Sequence, residues 1–434
     1  AENNIQNINL FLGKQANIIA GYDISNIYYG GQNINPDDVT LIKAGHDIRM
    51  SSELALNQFD GFEHGGPGDL IVQAGNNIDL GTTQGILSLG NFDNAALSDT
   101  GSNIYIIAGT DRDIDTDEVR TLFDEIRVLG EEYSTLLAAG DTSGAAQYIA
   151  QARENFIDPF FNQGEQGEGN IDMVRSQIVT QKGGDIYAAS LGTFNVGQTT
   201  LASEAEKETT GINTQSGGVI NIFSEYDLNV NDARVMTWLG GDITVWSNYG
   251  NINAGRGSKT AVNASKPKKI ITYQLDANGD IVYDEDGYPV IESVQIVRET
   301  AAVGSGIRTL TYDPDGVDGP LTAPTPGDLY LFAPEGIIDA GEAGLSGNRV
   351  ILGATEIVNA QNISFSQGSV GVPVSSDTTI NVGSLGTTSL TETNQIAENN
   401  AAIAAAKSQV NQAAETLAEN FIPKWLKVEV IGLY

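Results

Sequence analysis

His46 and His64 are the only histidines in the 434-residue sequence, and it contains no cysteine. Few chemistries remain open to such a chain. His46 sits in Gly45-His46-Asp47-Ile48-Arg49 and His64 in Glu63-His64-Gly65-Gly66, neither at zinc-ligand spacing nor in a triad pattern. His46 reads as a corner residue beside a strand. Thiolate metal sites, disulfides and a cysteine nucleophile are excluded outright. Paired carboxylates are common, but among 56 acidic residues their closeness in sequence says little. No phosphate-binding loop or dinucleotide fingerprint appears. The residues therefore nominate no catalytic group and no organic cofactor, and the chain is expected not to be an enzyme.

Two acidic turns could hold calcium. Asp276, Asn278 and Asp280 resemble the start of a calcium loop but lack its glycine and distal glutamate. Asp313, Asp315 and Asp318 form a similar turn. Ordinary turn chemistry accounts for both clusters as well. Trp238, Trp246 and Tyr249 lie close together in sequence. Such rings either stack on a carbohydrate or partner, or pack beneath an inserted segment.

Composition narrows the partners. With 22 basic residues against 56 acidic ones, the net charge of −34 repels phosphate backbones and argues against nucleic acid. No apolar run approaches the ~20 residues of a membrane helix. The opening Ala1-Glu2-Asn3-Asn4 lacks the basic and apolar regions of a signal peptide. The sequence has 50 glycines and only 12 prolines, and its 40% apolar content is enough to bury a core.

One phrase recurs along the chain. Gly68-Asp69-Leu70-Ile71-Val72-Gln73-Ala74-Gly75 is followed by Asn76-Asn77-Ile78-Asp79-Leu80-Gly81. Gly241-Asp242-Ile243-Thr244-Val245-Trp246 and Gly250-Asn251-Ile252-Asn253-Ala254-Gly255 repeat it. So do Gly327-Asp328-Leu329-Tyr330-Leu331-Phe332 and Gly336-Ile337-Ile338-Asp339-Ala340-Gly341. Each strand alternates, Leu329 and Leu331 facing one way and Tyr330 and Phe332 the other. Strands this short bury nothing alone; stacked in register, their inward rows become continuous apolar columns. Glycine permits the corners, and asparagine at equivalent corners suggests hydrogen-bonded ladders. Connections that read as corners rather than hairpins favour a right-handed parallel β-helix over a propeller or a sandwich.

Coils are expected over 1–111, 183–256 and 327–389. Between them lies an insertion over 112–182, mainly a helical hairpin, because Val119, Leu122, Phe123, Ile126 and Leu129 follow helical spacing. A second insertion, 257–326, reads as a β-meander that carries the chain's one basic concentration, Lys259 with Lys266-Pro267-Lys268-Lys269. An Ala-rich helix over 390–422 and a strand over 423–434 end the chain. Trp425, Leu426, Val428, Val430 and Ile431 of that strand are candidates for adding to a neighbour's sheet edge, or for capping the last coil.

The stretches 241–257 and 325–353, with the ending Val428-Glu429-Val430-Ile431-Gly432, resemble the C-terminal region of large filamentous haemagglutinin-like exoproteins. The resemblance covers about half of the chain, from near residue 217 onward. It implies a secreted adhesive or structural rod at the bacterial surface, exported through an outer-membrane secretion partner. The N-terminal secretion domain of that family is not visible, so the chain is expected to be a processed part of a larger exoprotein or a shorter relative. Further expectations are end-to-end self-association through exposed coil edges and contact with cell-surface or matrix glycans. The rival from another class is a β-helix that binds or cleaves polysaccharide, although the Asp pairs beside Gly-His motifs used by such hydrolases are not found.

Overall fold

The computed structural model describes residues 3–50, 61–161, 167–197, 210–256, 268–276, 281–283, 289–297, 304–311 and 322–373. Among the described residues the short coil strands pair with parallel neighbours in the adjacent coils, as the repeated phrase requires. They form a parallel β-helix with three sheets. Sheet 1 stacks Asn17–Ala20, Val39–Ala44, Asp69–Ala74, Asn103–Ala108, Ile186–Ser190, Ile220–Ser224, Ile243–Ser247 and the start of Leu329–Asp339, then the middle of Leu345–Val358. Sheet 2 is made of very short strands, such as Ile48–Arg49, Phe194–Asn195 and Leu228–Asn229. Sheet 3 runs from Gly61–Gly65 and Gly85–Gly90 to Arg234–Thr237 and Gly306–Thr309.

The inward rows are the expected columns. In sheet 1, Ile18, Ile42, Val72, Ile106, Ala188, Ile222, Val245, Leu331 and Leu352 lie in register and are buried. Sheet 2 contributes Ile24, Ile48, Ile78, Ile171, Phe194, Leu228, Ile252 and Ile338 in the same manner. Each side chain in such a column loses nearly all contact with water, which stabilises by about 1.5–3 kcal/mol for a large aliphatic group.

Polar ladders fix the corners. Immediately before each sheet 2 strand, an Asn or Asp oxygen accepts the backbone N–H of its counterpart in the next coil. The series is Asn4 to Asp23 (3.1 Å), Asp23 to Asp47 (3.1 Å), Asp47 to Asn77 (2.9 Å), Asn77 to Asn170 (2.8 Å) and Asn170 to Thr193 (3.0 Å). It resumes from Asp227 to Asn251 (2.7 Å) and from Asn251 to Ile337 (2.9 Å). The corner from sheet 3 to sheet 1 uses a different device. Thr180, Thr214 and Thr237 each donate a hydroxyl to the carbonyl four residues on, at Gly184, Gly218 and Gly241. Gly218 (φ +97°) and Gly241 (φ +82°) must be glycine, since a Cβ there would come within 2.3 Å and 2.0 Å of the backbone oxygens of Gly184 and Gly218.

The insertions are shorter than the sequence suggests. Coil strands resume at Ile171–Met173 and Gln177–Thr180, inside the segment expected as insertion, and Gly306–Thr309 is likewise a coil strand. These pieces have three or four residues and carry Asp172 and Arg308, so alternation alone does not reveal them. The meander is antiparallel: Lys268–Tyr273 pairs with Ile291–Val297 in a separate two-stranded sheet. The helix expected over 390–422 and the strand over 423–434 lie outside the described residues.

Candidate functional site: the helical hairpin and its groove

The outward residues of sheet 1 are apolar where the hairpin begins. Tyr105, Ile107, Tyr187, Phe223, Trp246, Tyr330 and Phe332 point away from the rod interior, yet all are buried. What covers them is helix α1 (Thr116–Ala138), joined through Gly140 and Asp141 to α2 (Thr142–Ala152). Asp115 caps α1, accepting the N–H groups of Asp117 (2.9 Å) and Glu118 (3.4 Å). Val119, Leu122, Phe123, Ile126 and Leu129, the residues with helical spacing, form its buried stripe.

Helix α1 follows the rod from coil to coil. Arg120 holds Asp69 through both carboxylate oxygens at 3.0 Å, and Phe123 meets Tyr187 at 5.8 Å between ring centroids. Arg127 lies 5.8 Å from the Tyr330 ring, and Tyr133 donates its hydroxyl to the Pro334 carbonyl at 3.2 Å. A 23-residue helix is about 34 Å long, and six steps between stacked strands cover about 29 Å. The match lets one helix run alongside the coils from Asp69 to Gly353. Gly130 makes the close approach possible: a Cβ there would sit 2.2 Å from the Phe332 ring.

The return limb is pinned differently. A π-helical turn, Arg153–Ile157, follows α2 and leads into α3 (Asp158–Phe161). Arg153 donates to the buried Asn248 side chain (2.8 Å), pairs with Glu335 and lies 4.4 Å over the Tyr249 ring. Phe161 stacks on Phe223 at 4.3 Å. Between α1 and this limb opens a cleft of about 440 Å³, with Leu122, Phe156, Pro159 and Phe160 on its apolar side and Asp115, Asp117, Glu118 and Glu125 at its acidic rim. Phe156 is 45% exposed.

The other candidate residues scatter. Trp246 lies beneath the hairpin with no exposure, and Trp238 is buried at the end of sheet 3, so neither presents a ring to a carbohydrate. Tyr249 alone of the three is exposed, and Arg153 occupies its face. Packing under an insertion is therefore the role of Trp246. His46 stands at a sheet 1 corner, stacked on Tyr22 at 4.5 Å, with Nδ1 at 3.1 Å from both Asp23 and Asp47. Those three could hold a metal by distance, but Asp23 and Asp47 already serve the corner ladder and Asp47 is paired with Arg49. His64 is buried in sheet 3, where its Nδ1 meets the Tyr29 hydroxyl at 2.9 Å and, among the described residues, Nε2 has no partner. Burial holds its pKa down at about 4. Asp276 is exposed; Asn278, Asp280, Asp313, Asp315 and Asp318 lie outside the described residues. So do Trp425, Leu426, Val428, Val430 and Ile431. No helix among the described residues is long and apolar enough to cross a membrane.

Sequence reasoning reached the hairpin but not the groove beside it. The signal was the apolar character of both faces of sheet 1 strands, which marks a sheet covered on both sides. Comparison with known proteins adds one match: residues 240–374 fit the family described as filamentous haemagglutinin family outer membrane protein. No curated protein and no solved structure matches the chain.

Proposed function

With residues 240–374 matching the filamentous haemagglutinin family, we propose that the chain is an adhesin-like extracellular rod that works at the bacterial surface without catalysis. The observation that supports this most is the coil stack itself. Three sheets in continuous register make a stiff element whose outer surfaces, repeated along its length, suit contact with other molecules. The match to that family supports export through an outer-membrane partner, and a chain without cysteine travels unfolded without forming stray disulfides. The finer reading is end-to-end assembly, in which a terminal coil's unpaired backbone groups accept the coil of a second copy. Negative-stain microscopy of the full chain tests it. Filaments that lengthen with concentration are expected; short rods of one length at every concentration contradict it.

A second reading, polysaccharide binding or cleavage, is favoured by one feature of sheet 3. Phe11, 73% exposed, and Tyr28 flank a cleft of about 370 Å³ that also carries Gln32, Glu63, Asp93 and Asn94. Aromatic faces beside amides and carboxylates suit a sugar ring. Incubation with acidic and neutral glycans, read by reducing-end and unsaturated-product assays, separates the readings. Product formation that survives repurification would replace the non-enzymatic one.

A further inference from the structure

The cleft between α1 and the π-helical limb has an apolar side and an acidic rim, and no side chain among the described residues fills it. Two rim carboxylates already face cations: Glu118 meets Arg112 at 3.3 Å, and Asp117 meets Arg120 at 2.7 Å. Among the described residues, Asp115 is committed to the helix cap and Glu125 is paired with no cation. The rim therefore keeps a negative excess beside an apolar wall of Leu122, Phe156 and Phe160. A matching occupant offers lysines next to aliphatic residues.

The sequence contains one such segment. Lys266-Pro267-Lys268-Lys269-Ile270-Ile271 is the core of the only basic concentration in a chain of net charge −34. Among the described residues its strand, Lys268–Tyr273, pairs with Ile291–Val297 in a sheet of two strands. A two-stranded hairpin is marginally stable by itself, so it gains from a surface to pack against. The net charge of −34 makes one copy repel another, whereas this segment carries the opposite sign.

We infer that the groove lined by Leu122, Phe156 and Phe160 is a docking site for the lysine-bearing meander of a second copy, joining rods side by side. This lateral contact is independent of end-to-end stacking, since it uses insertions and not coil edges. Rods so joined separate when salt screens the lysine–carboxylate attraction, because the Debye length falls from about 10 Å at 0.1 M to about 3 Å at 1 M.

Sedimentation velocity of the full chain tests the proposal with two charge-reversed variants. One carries Glu118→Lys and Glu125→Lys; the other carries Lys266→Glu, Lys268→Glu and Lys269→Glu. All five substitutions reverse side-chain charge on the insertions and leave the apolar columns of the rod untouched. The wild-type chain should associate with rising concentration at about 0.1 M salt and dissociate at about 1 M. Each variant alone should associate at least about ten-fold more weakly, and an equimolar mixture of the two should recover association, because reversed rim then meets reversed meander. Three results would overturn the assignment. They are a wild-type monomer at every concentration, association indifferent to both reversals, and failure of the mixture to recover. The first would leave the groove to a basic segment of a foreign protein, which a synthetic peptide of residues 264–273 would then occupy.

Discussion

The coils beneath the helical hairpin and the coils that precede them share one register and one kind of inner column, but differ on the outer face of sheet 1. A single outward row runs Ile19, Lys43, Gln73, Ile107, Ala189, Phe223, Trp246 and Phe332. Its first member is 45% exposed and its last two are fully buried. The middle of the row performs the handover. Lys43 reaches the Asp111 carbonyl (2.7 Å) and the Asp113 carboxylate (3.0 Å), and Gln73 donates to the Thr110 carbonyl (2.9 Å), so both hold the entry of the hairpin. Beyond them the row becomes apolar, and aromatic from Phe223 onward, because the hairpin replaces water. Within one fold, then, the early coils reach the hairpin at its entry through Lys43, whereas the later ones are tied along the axis by α1.

Substitutions in that row should separate the two regions most sharply. Trp246→Ala should cost about 3–5 kcal/mol, the range for emptying a large buried aromatic site, whereas Ile19→Ala should cost under about 1 kcal/mol. Urea unfolding read by tryptophan-independent circular dichroism measures both, and equal costs would erase the distinction.

The early coils carry their own weak point in His64. Its folded-state pKa, near 4, lies below the ordinary value of 6.5, so the unfolded chain takes up the proton first as pH falls. The folded state thus loses stability as the pH drops from about 6.5 towards 4, by about 3 kcal/mol in all, and is unaffected by this group above that window. His64→Gln should flatten the slope; a wild-type chain with constant stability between pH 7 and 4 contradicts the burial argument.

Gly130 sharpens the comparison from the helix side. On an exposed helix, Gly→Ala stabilises by about 1 kcal/mol. Against the Phe332 ring, Gly130→Ala should instead destabilise by about 1–3 kcal/mol, because overpacking forces α1 off the sheet. Thermal unfolding gives the sign directly. A modest effect is expected at the corner ladder, where Asn77→Ala removes the acceptor of the Asn170 N–H and should cost about 1–2 kcal/mol. The same substitution at Asn251, in a coil whose sheet 1 strand lies under the hairpin, should be equally costly, since the ladder continues through both regions.

Much of this was legible in the sequence, for physical reasons that differ by element. The alternation in Leu329-Tyr330-Leu331-Phe332 gave the coils because stacked strands need an inward row, and the spacing of Val119 to Leu129 gave α1 because a helix buries one stripe. The corner asparagines were expected to form ladders, and the observed ladder runs largely from side-chain oxygen to the next coil's backbone N–H. The Thr-x-x-Gly-Gly turns at Thr180, Thr214 and Thr237 recur openly but mean nothing until the threonine hydroxyl is seen to close the corner. Short strands such as Ile171–Met173 were hidden because three residues hold no period. The groove beside Phe156 was hidden for a deeper reason: it depends on a π-helical turn, and a helical pattern read at 3.6 residues per turn passes over it.

Native-state hydrogen exchange of the full chain tests the central claim most directly, that α1 binds the later coils into one unit. Amides in sheet 1 from Asn103–Ala108 through Ile243–Ser247 and the start of Leu329–Asp339 should open together with one common free energy. Those of Asn17–Ala20 and Val39–Ala44 should open earlier and independently. A smooth gradient of protection along the rod, with no step where the hairpin begins, would contradict the account.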